Sequence, residues 1–400
     1  MIPVSKAIEI IKSQTHKLSF EEIALQDSFN CILAEDIIAD TDLPPFNRSQ
    51  MDGYAVRFED VKDVPARLKI VGESAAGSGW HNEMKVGEAV RIMTGAPVPL
   101  GADSVQKVEV THEEDGFVFI EESVKQGQNI VTRGKEITNG ETVLRRGERL
   151  TAAMIAPLAS FGYEKVKVAK RPRVAILATG SELVSVNKTP QQDQIRDSNS
   201  FTLAAYSSLA NAVVERLPLA GDDLESLKET IKRASENSDV LIMSGGVSVG
   251  VYDFTKTALR ELGAEIFFEK VSLKPGKPTV FGRLKDALVF GLPGNPVSVA
   301  VTFNLFARMA LMLMQGANDV ELKSEHATLS RTAKGAKERE TFLPATLSTN
   351  EKGKLIAEPL KWGGSSDFVS FAKANALINI PQGVKTVEEG EVVRVLNLPV

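Results

Sequence analysis

The sequence predicts a multidomain chain of mixed α/β and β architecture: an open, doubly wound α/β domain, a β domain inserted ahead of it, and a C-terminal barrel or sandwich of strands. Three observations predict it. From Arg173 onward strand-like and helix-like patterns alternate strictly. Residues 46–146 carry short β-type runs separated by Gly, Asn and Pro turns, with helical patterns on either side. After Gly316 the β texture resumes and continues for about 85 residues.

Taken in order, apolar residues at helical spacing, among them Ala7, Ile8, Ile10 and Ile11, predict helices over 5–13 and 20–31. The run Asp42-Leu-Pro-Pro-Phe-Asn-Arg48 then breaks the helical pattern, because two prolines remove two backbone donors and push their predecessors toward extended conformations. Runs at 68–71, 89–92, 104–108 and 116–120 read as strands of a small all-β unit. Residues 150–162 return to a helical pattern with Thr151 as its N-cap, so the β unit is read as an insertion between two pieces of one outer segment.

In the α/β stretch, strand 174–178 precedes helix 199–211, strand 212–217 precedes helix 223–236, and strand 240–243 precedes helix 253–262. Further strands at 265–271, 279–281 and 287–290 lead into a long apolar helix over 296–314. Beyond it, strands are expected near 327–329, 354–357, 376–380 and 392–396.

Composition narrows the function. Of 400 residues, 43% are hydrophobic and 25% charged, a globular balance that excludes a disordered or fibrous chain. A net charge of −5 argues against broad nucleic-acid binding. The single cysteine, Cys31, and four scattered histidines cannot build a disulfide framework or a zinc site. No basic-then-apolar leader opens the sequence, and no unbroken apolar run reaches the ~18–20 residues of a membrane span, so no membrane partner and a cytoplasmic location are expected.

The chemistry is expected at the carboxyl ends of the α/β strands, where open sheets of this class place their ligand crevice. The unusual loops follow strands: Thr179-Gly-Ser-Glu-Leu183, Gly221-Asp-Asp223, Ser244-Gly-Gly-Val-Ser-Val-Gly250, Lys274-Pro-Gly-Lys-Pro278 and Gly291-Leu-Pro-Gly-Asn-Pro296. The Gly245, Gly246 and Ser248 stretch runs toward a helix start, which offers free N–H groups to a phosphate. It matches neither a dinucleotide fingerprint nor a Walker A loop. Carboxylates at Glu182, Asp222 or Asp223, and Asp253 lie on or near three of these loops, a set suited to Mg²⁺ with retained water and phosphate ligands. Asp253 could also cap the helix that follows it, alone or together with a metal contact. Lys270, Lys274 and Lys277 supply point charges for an anion, the latter two inside a stiff proline-bounded turn. Two more loops stand out earlier, over 48–56 and 91–99.

Seven motifs occur in order: Met51-Asp-Gly-Tyr-Ala-Val56, Met93-Thr-Gly-Ala-Pro97, Thr179-Gly-Ser-Glu-Leu183, Asp197-Ser-Asn199, the loop 244–250, Lys274-Pro-Gly-Lys-Pro278 and Gly291-Leu-Pro-Gly-Asn-Pro-Val-Ser298. By these the chain resembles the molybdopterin molybdenumtransferase family, the MoeA and gephyrin E-domain type, over nearly its whole length. The resemblance implies a discontinuous linker domain over 1–45 and 147–172, an inserted β domain over 46–146, a molybdopterin-binding α/β domain over 173–317 and a C-terminal β-barrel over 318–400, assembled as a homodimer with composite sites.

It also implies that molybdate and adenylylated molybdopterin become molybdenum cofactor with Mg²⁺-dependent release of AMP. Asp52 and Thr94 match the functional pair of the β domain, Glu182, Asp222 and Asp253 the acidic set, and Lys270 and Lys274 the basic set. Pro293, Asn295 and Pro296 fall in the rigid proline loop, and Ser365 or Ser366 in a C-terminal loop that faces the site. One position departs: Arg133-Gly-Lys-Glu136 stands where the family has Arg-Gly-Glu-Asp, so Lys135 reverses a charge and Glu136 replaces an aspartate. The implied partners are a molybdopterin adenylyltransferase and the molybdoenzymes that receive the cofactor. The competing readings are an adenylyltransferase, whose single domain resembles residues 173–315, and a non-catalytic scaffold or cofactor carrier of the gephyrin type.

Overall fold

A computed structural model describes residues 1–220, 223–246, 254–361 and 363–399. Asp222, Ser248 and Asp253 lie outside the described residues. The chain divides into two compact units, one made of Met1–Glu35, Gly147–Thr151 and Lys165–Val400, the other of Asp36–Arg146 and Ala152–Glu164.

In the first unit the N-terminal helix Val4–Gln14 buries Val4, Ala7 and Ile11. These fall on one stripe because their spacing follows the helical repeat. The second expected helix, over 20–31, is not formed. Phe20–Ala24 is a strand, paired antiparallel with Lys165–Ala169 through five register positions, and a short 3₁₀ turn over Leu25–Asp27 follows it. Ladder bonds to a segment more than a hundred residues away override a local pattern that reads as helix.

The central sheet has six strands in the order Val213–Arg216, Arg173–Ala178, Val240–Ser244, Ala287–Leu292, Val280–Leu284, Glu265–Phe268. The first four run parallel and the last two join antiparallel. Alternate residues feed two separate cores: Ile176, Ile242 and Phe290 face one layer, Leu177, Leu241 and Val289 the other. Burial on both faces explains why these strands read as continuous apolar runs.

The first core is closed by the helical segment Pro296–Met314, 89% buried, the one helix among the described residues long and apolar enough to cross a membrane. Pro296 opens it at the first helical position, where no intrahelical N–H partner is lost. A π-type turn over Phe303–Ala307 interrupts the α geometry. The C-terminal strands Ser324–Leu329, Glu340–Thr349, Leu355–Pro359, Ala376–Ile380 and Val392–Asn397 close on themselves into a five-stranded barrel, the Glu340 strand pairing with both Leu355–Pro359 and Ala376–Ile380. Closure leaves the overhanging start of the Glu340 strand open on one side. The short strand Leu273–Lys274 adds to this barrel, in parallel with Glu340 and Thr341.

The second unit is built on a six-stranded sheet between Gly53–Val56 and Phe117–Ile120, with cores on both faces that include Tyr54, Val56, Leu68 and Ile120 on one and Ala55, Val90, Ile92 and Val105 on the other. Its helix Ala152–Ser160 is that expected for 150–162, shortened at both ends.

Candidate active site

Register in the central sheet places three strand ends side by side, since Ala178 is opposite Ser244 and Ser244 is opposite Leu292. The loops that begin at Thr179, Gly245 and Pro293 therefore leave the sheet together, as the sequence predicts. Asn199 ties two of them: its Nδ2 donates to Ser244 Oγ at 2.8 Å and to the Gly294 carbonyl at 2.7 Å. Asp197, in the same motif, accepts the Ser200 N–H at 3.0 Å and fixes the start of this helix.

Gly245 adopts φ +91°, and a Cβ there would stand 2.3 Å from the Thr179 carbonyl oxygen, so only glycine permits this approach. Beside it, the hydroxyls of Thr179 and Thr255 are buried, converge on Gly246 and make no hydrogen bond among the described residues.

The lysine turn forms the next wall. Gly276, at φ +116°, lies against the helix that starts at Pro296, where an added Cβ would be 2.4 Å from Thr302 Cγ2. Thr279 Oγ1 donates to the Gly276 carbonyl at 2.6 Å, and Val271 N–H donates to the Lys277 carbonyl at 3.0 Å. These contacts hold the turn shut and carry Lys274 and Lys277 outward.

Pairing of Leu273–Lys274 with the barrel brings a third cation, Arg339, to the same place. Lys274, Lys277 and Arg339 line a pocket of 530 Å³. Pro293, Asn295 and Ser298 supply its α/β side and residues 363–365 its barrel side. None of the described residues that line it is a carboxylate. Three positive side chains, with no carboxylate among the described lining residues, favour an anion there. Ser365 is clipped across it, accepting Asn295 Nδ2 at 2.8 Å on its hydroxyl and Val297 N–H at 3.0 Å on its carbonyl.

Several expected residues stand elsewhere. Lys270 is not among the lining residues, and its carbonyl accepts the N–H of Ile2. Pro296 serves the helix start, and Ser366 accepts the N–H of Phe368 through its carbonyl. Glu182 is exposed, its carboxylate folded against Gly180, and it lines a separate shallow depression with Asp193 and Gln191. No group of three metal-ligating side chains occurs among the described residues. The donor chemistry of Glu182, an exposed hard oxygen, nonetheless suits an ion that keeps most of its water. Arg339 escapes sequence reading because it sits in the charged run Lys337-Glu-Arg-Glu340, which has the pattern of a solvated surface.

In the second unit, Asp52 and Thr94 are brought together across 42 residues. Asp52 Oδ1 accepts the Thr94 N–H at 2.6 Å and its hydroxyl at 2.9 Å. Both donors favour the charged form and hold the Asp52 carboxyl below its usual value. The surrounding loops are laced by backbone bonds: Gly95 N–H to Ser49 O at 2.8 Å and Gln50 N–H to Asn129 O at 2.9 Å. The departing loop joins them, with Glu136 paired to Arg48 at 3.0 Å, Arg133 to Asp42, and Lys135 exposed.

Comparison with known proteins matches this architecture in sequence order. Residues 2–162 match the MoeA N-terminal region (domain I and II), 175–312 a probable molybdopterin binding domain, and 326–398 the MoeA C-terminal region (domain IV). The molybdopterin molybdenumtransferase of Bacillus subtilis is 36% identical over 99% of this chain and 94% of its own length. That of Haemophilus influenzae is 38% identical over 94% of this chain and 93% of its own. A crystal structure of a molybdopterin biosynthesis MoeA protein from Pyrococcus horikoshii superposes with a TM-score of 0.86 at 29% identity, covering 100% of both chains. The ordered strand-end loops, the closed barrel and these full-length similarities together establish that the chain belongs to the MoeA family of molybdopterin molybdenumtransferases.

Proposed function

We propose that the pocket bounded by Lys274, Lys277 and Arg339 takes molybdate, and that the chain inserts it into adenylylated molybdopterin with release of AMP. Membership of the family makes the chain an enzyme of molybdenum cofactor biosynthesis that inserts molybdenum. The observation that carries the finer reading is the concentration of three cations around one pocket whose described lining residues include no carboxylate. Molybdate is a compact dianion whose oxygens accept hydrogen bonds only, so two ammonium groups and a guanidinium fork complement it.

The phosphates of the pterin substrate would lie over Gly245 and Gly246, at the carboxyl end of the strand that ends at Ser244. Attack of a water oxygen on the phosphoanhydride forms one P–O bond, breaks the bridging P–O bond, leaves negative charge on the departing AMP and on the pterin phosphate, and releases a proton. The lysines would stabilise that charge without reorganising, which is how positioned cations accelerate phosphoryl chemistry. Asp52, kept ionised by Thr94, would serve as a proton acceptor or orienting group. Asp222 and Asp253 would hold Mg²⁺, and Glu182 would join them only by turning away from Gly180; the ion would supply positive charge to offset that of the anhydride.

The same reading makes the enzyme a cytoplasmic homodimer in which the Asp52 loop of one protomer serves the site of its partner. A molybdopterin adenylyltransferase would supply its substrate and molybdoenzymes would take its product. The test uses preformed adenylylated molybdopterin and measures AMP with and without molybdate. AMP release that needs molybdate and consumes no ATP is expected. ATP-dependent capture of AMP on molybdopterin would assign adenylyl transfer instead.

A further inference from the structure

The barrel side of the anion pocket has two parts of different stiffness. Arg339 lies beside paired strands, since Glu340 opposes Leu273 and its N–H donates to the Ser272 carbonyl at 3.0 Å. Residues 363–365 have no strand pairing, and begin with two successive glycines, the second at φ +120°. Such a segment has the largest backbone entropy to lose on ordering. At one end Ser365 holds it to Asn295 and Val297.

At the other end the segment is gathered by one side chain. Asp367 Oδ2 accepts the Gly363 N–H at 2.8 Å and the Ser370 hydroxyl at 2.8 Å, and Oδ1 accepts the Ser370 N–H at 3.1 Å. Its own N–H donates to the Gly364 carbonyl at 3.0 Å. A single carboxylate thus closes residues 363–370 into a ring. Asp367 does not itself line the pocket. We infer that Asp367 is a positioning residue for molybdate binding: it sets the course of residues 363–365 so that Ser365 and its neighbours close the pocket opposite Lys274 and Lys277. The inference rests on the reading of that pocket as the molybdate site. The carboxyl is held below its usual value by the same three donors, so its acceptor oxygens are charged at neutral pH and bind those donors more strongly than an amide would.

The experiment compares Asp367→Ala, Asp367→Asn and Arg339→Ala in molybdate-dependent AMP release, with thermal unfolding as a check on folding. Asp367→Ala is expected to raise KM for molybdate about tenfold or more, the loss of charge-assisted hydrogen bonds, while kcat at saturating molybdate and KM for the pterin substrate stay near the parent values. Asp367→Asn, which keeps one oxygen acceptor, should fall between the parent and the alanine variant, and it carries the test if Asp367→Ala does not fold. An unchanged molybdate KM in a folded Asp367 variant overturns the inference, as does a loss confined to kcat. If Arg339→Ala raises KM in that experiment, the pocket reading stands and only the role of Asp367 falls. If neither variant changes KM, the pocket reading falls and this inference with it.

Discussion

Replacing Gly276 by alanine tests the geometry that presents both pocket lysines. The glycine occupies φ +116°, and the new methyl would stand 2.4 Å from Thr302 Cγ2, well inside van der Waals contact. A non-glycine residue in so sparsely populated a conformation costs about 1–3 kcal/mol. Overpacking a buried contact adds about 1–3 kcal/mol. Together they predict a loss of about 2–6 kcal/mol, read as a lower urea midpoint, with weaker molybdate binding as the turn shifts.

The two contributions can be separated. Thr302→Ser removes the offending methyl yet keeps the hydroxyl, which donates to the Ser298 carbonyl at 2.7 Å. Alone it should cost about 0.5–1.5 kcal/mol, as for other single buried methyl deletions. Combined with Gly276→Ala it should recover the packing part and leave the backbone part, so the pair must be non-additive. A Gly276→Ala variant within about 0.5 kcal/mol of the parent, a change typical of surface sites, would refute the reasoning. Strict additivity with Thr302→Ser would show that the strain is elsewhere.

Arg339→Ala should weaken molybdate binding by calorimetry about 10–100-fold, the range for losing a hydrogen-bonded charge, with Arg339→Lys intermediate because charge survives but the planar fork does not; unchanged affinity would remove Arg339 from the site. Asp52 should titrate below 3.8 by carboxyl NMR, so its contribution to stability is complete above that pH and is lost as pH falls through the folded-state value. Thr94→Val removes one of the two donors and should move the titration upward; a parent carboxyl titrating at or above 3.8 would contradict the bond pair. Homodimers of Asp52→Asn and of Asp253→Asn should each be nearly inactive, whereas re-dimerised mixtures should recover roughly a quarter of parent activity if sites act independently. No recovery in verified heterodimers would place Asp52 outside the partner's site.

The parts legible in the sequence are those set by local pattern. Strand and helix alternate from Arg173, and each glycine or proline cluster after a strand marks a turn, so the convergence of the Thr179, Gly245 and Pro293 loops could be expected. What stayed hidden depends on pairing between distant segments. Phe20–Ala24 is a strand only because Lys165–Ala169 lies beside it. Arg339 reaches the pocket only because Leu273–Lys274 joins the barrel, a pairing no spacing rule announces. Asp52 and Thr94 meet because Gly53 pairs with Ile92 across two strands, and nothing in either loop's composition identifies the other. Their match to the family was visible; their hydrogen bonds were not. Glu182 shows the converse, since its place after a strand pointed toward the crevice whereas its side chain turns back on Gly180.

The most direct test is where the oxyanion binds. Tungstate, isosteric with molybdate and strong in anomalous scattering, should be soaked into crystals of the enzyme at near-stoichiometric concentration. One dominant anomalous peak is expected within hydrogen-bonding reach of Lys274, Lys277 and Arg339, lost in crystals of Arg339→Ala soaked in the same way. A dominant peak elsewhere, or one that survives Arg339→Ala at full height, would contradict this placement.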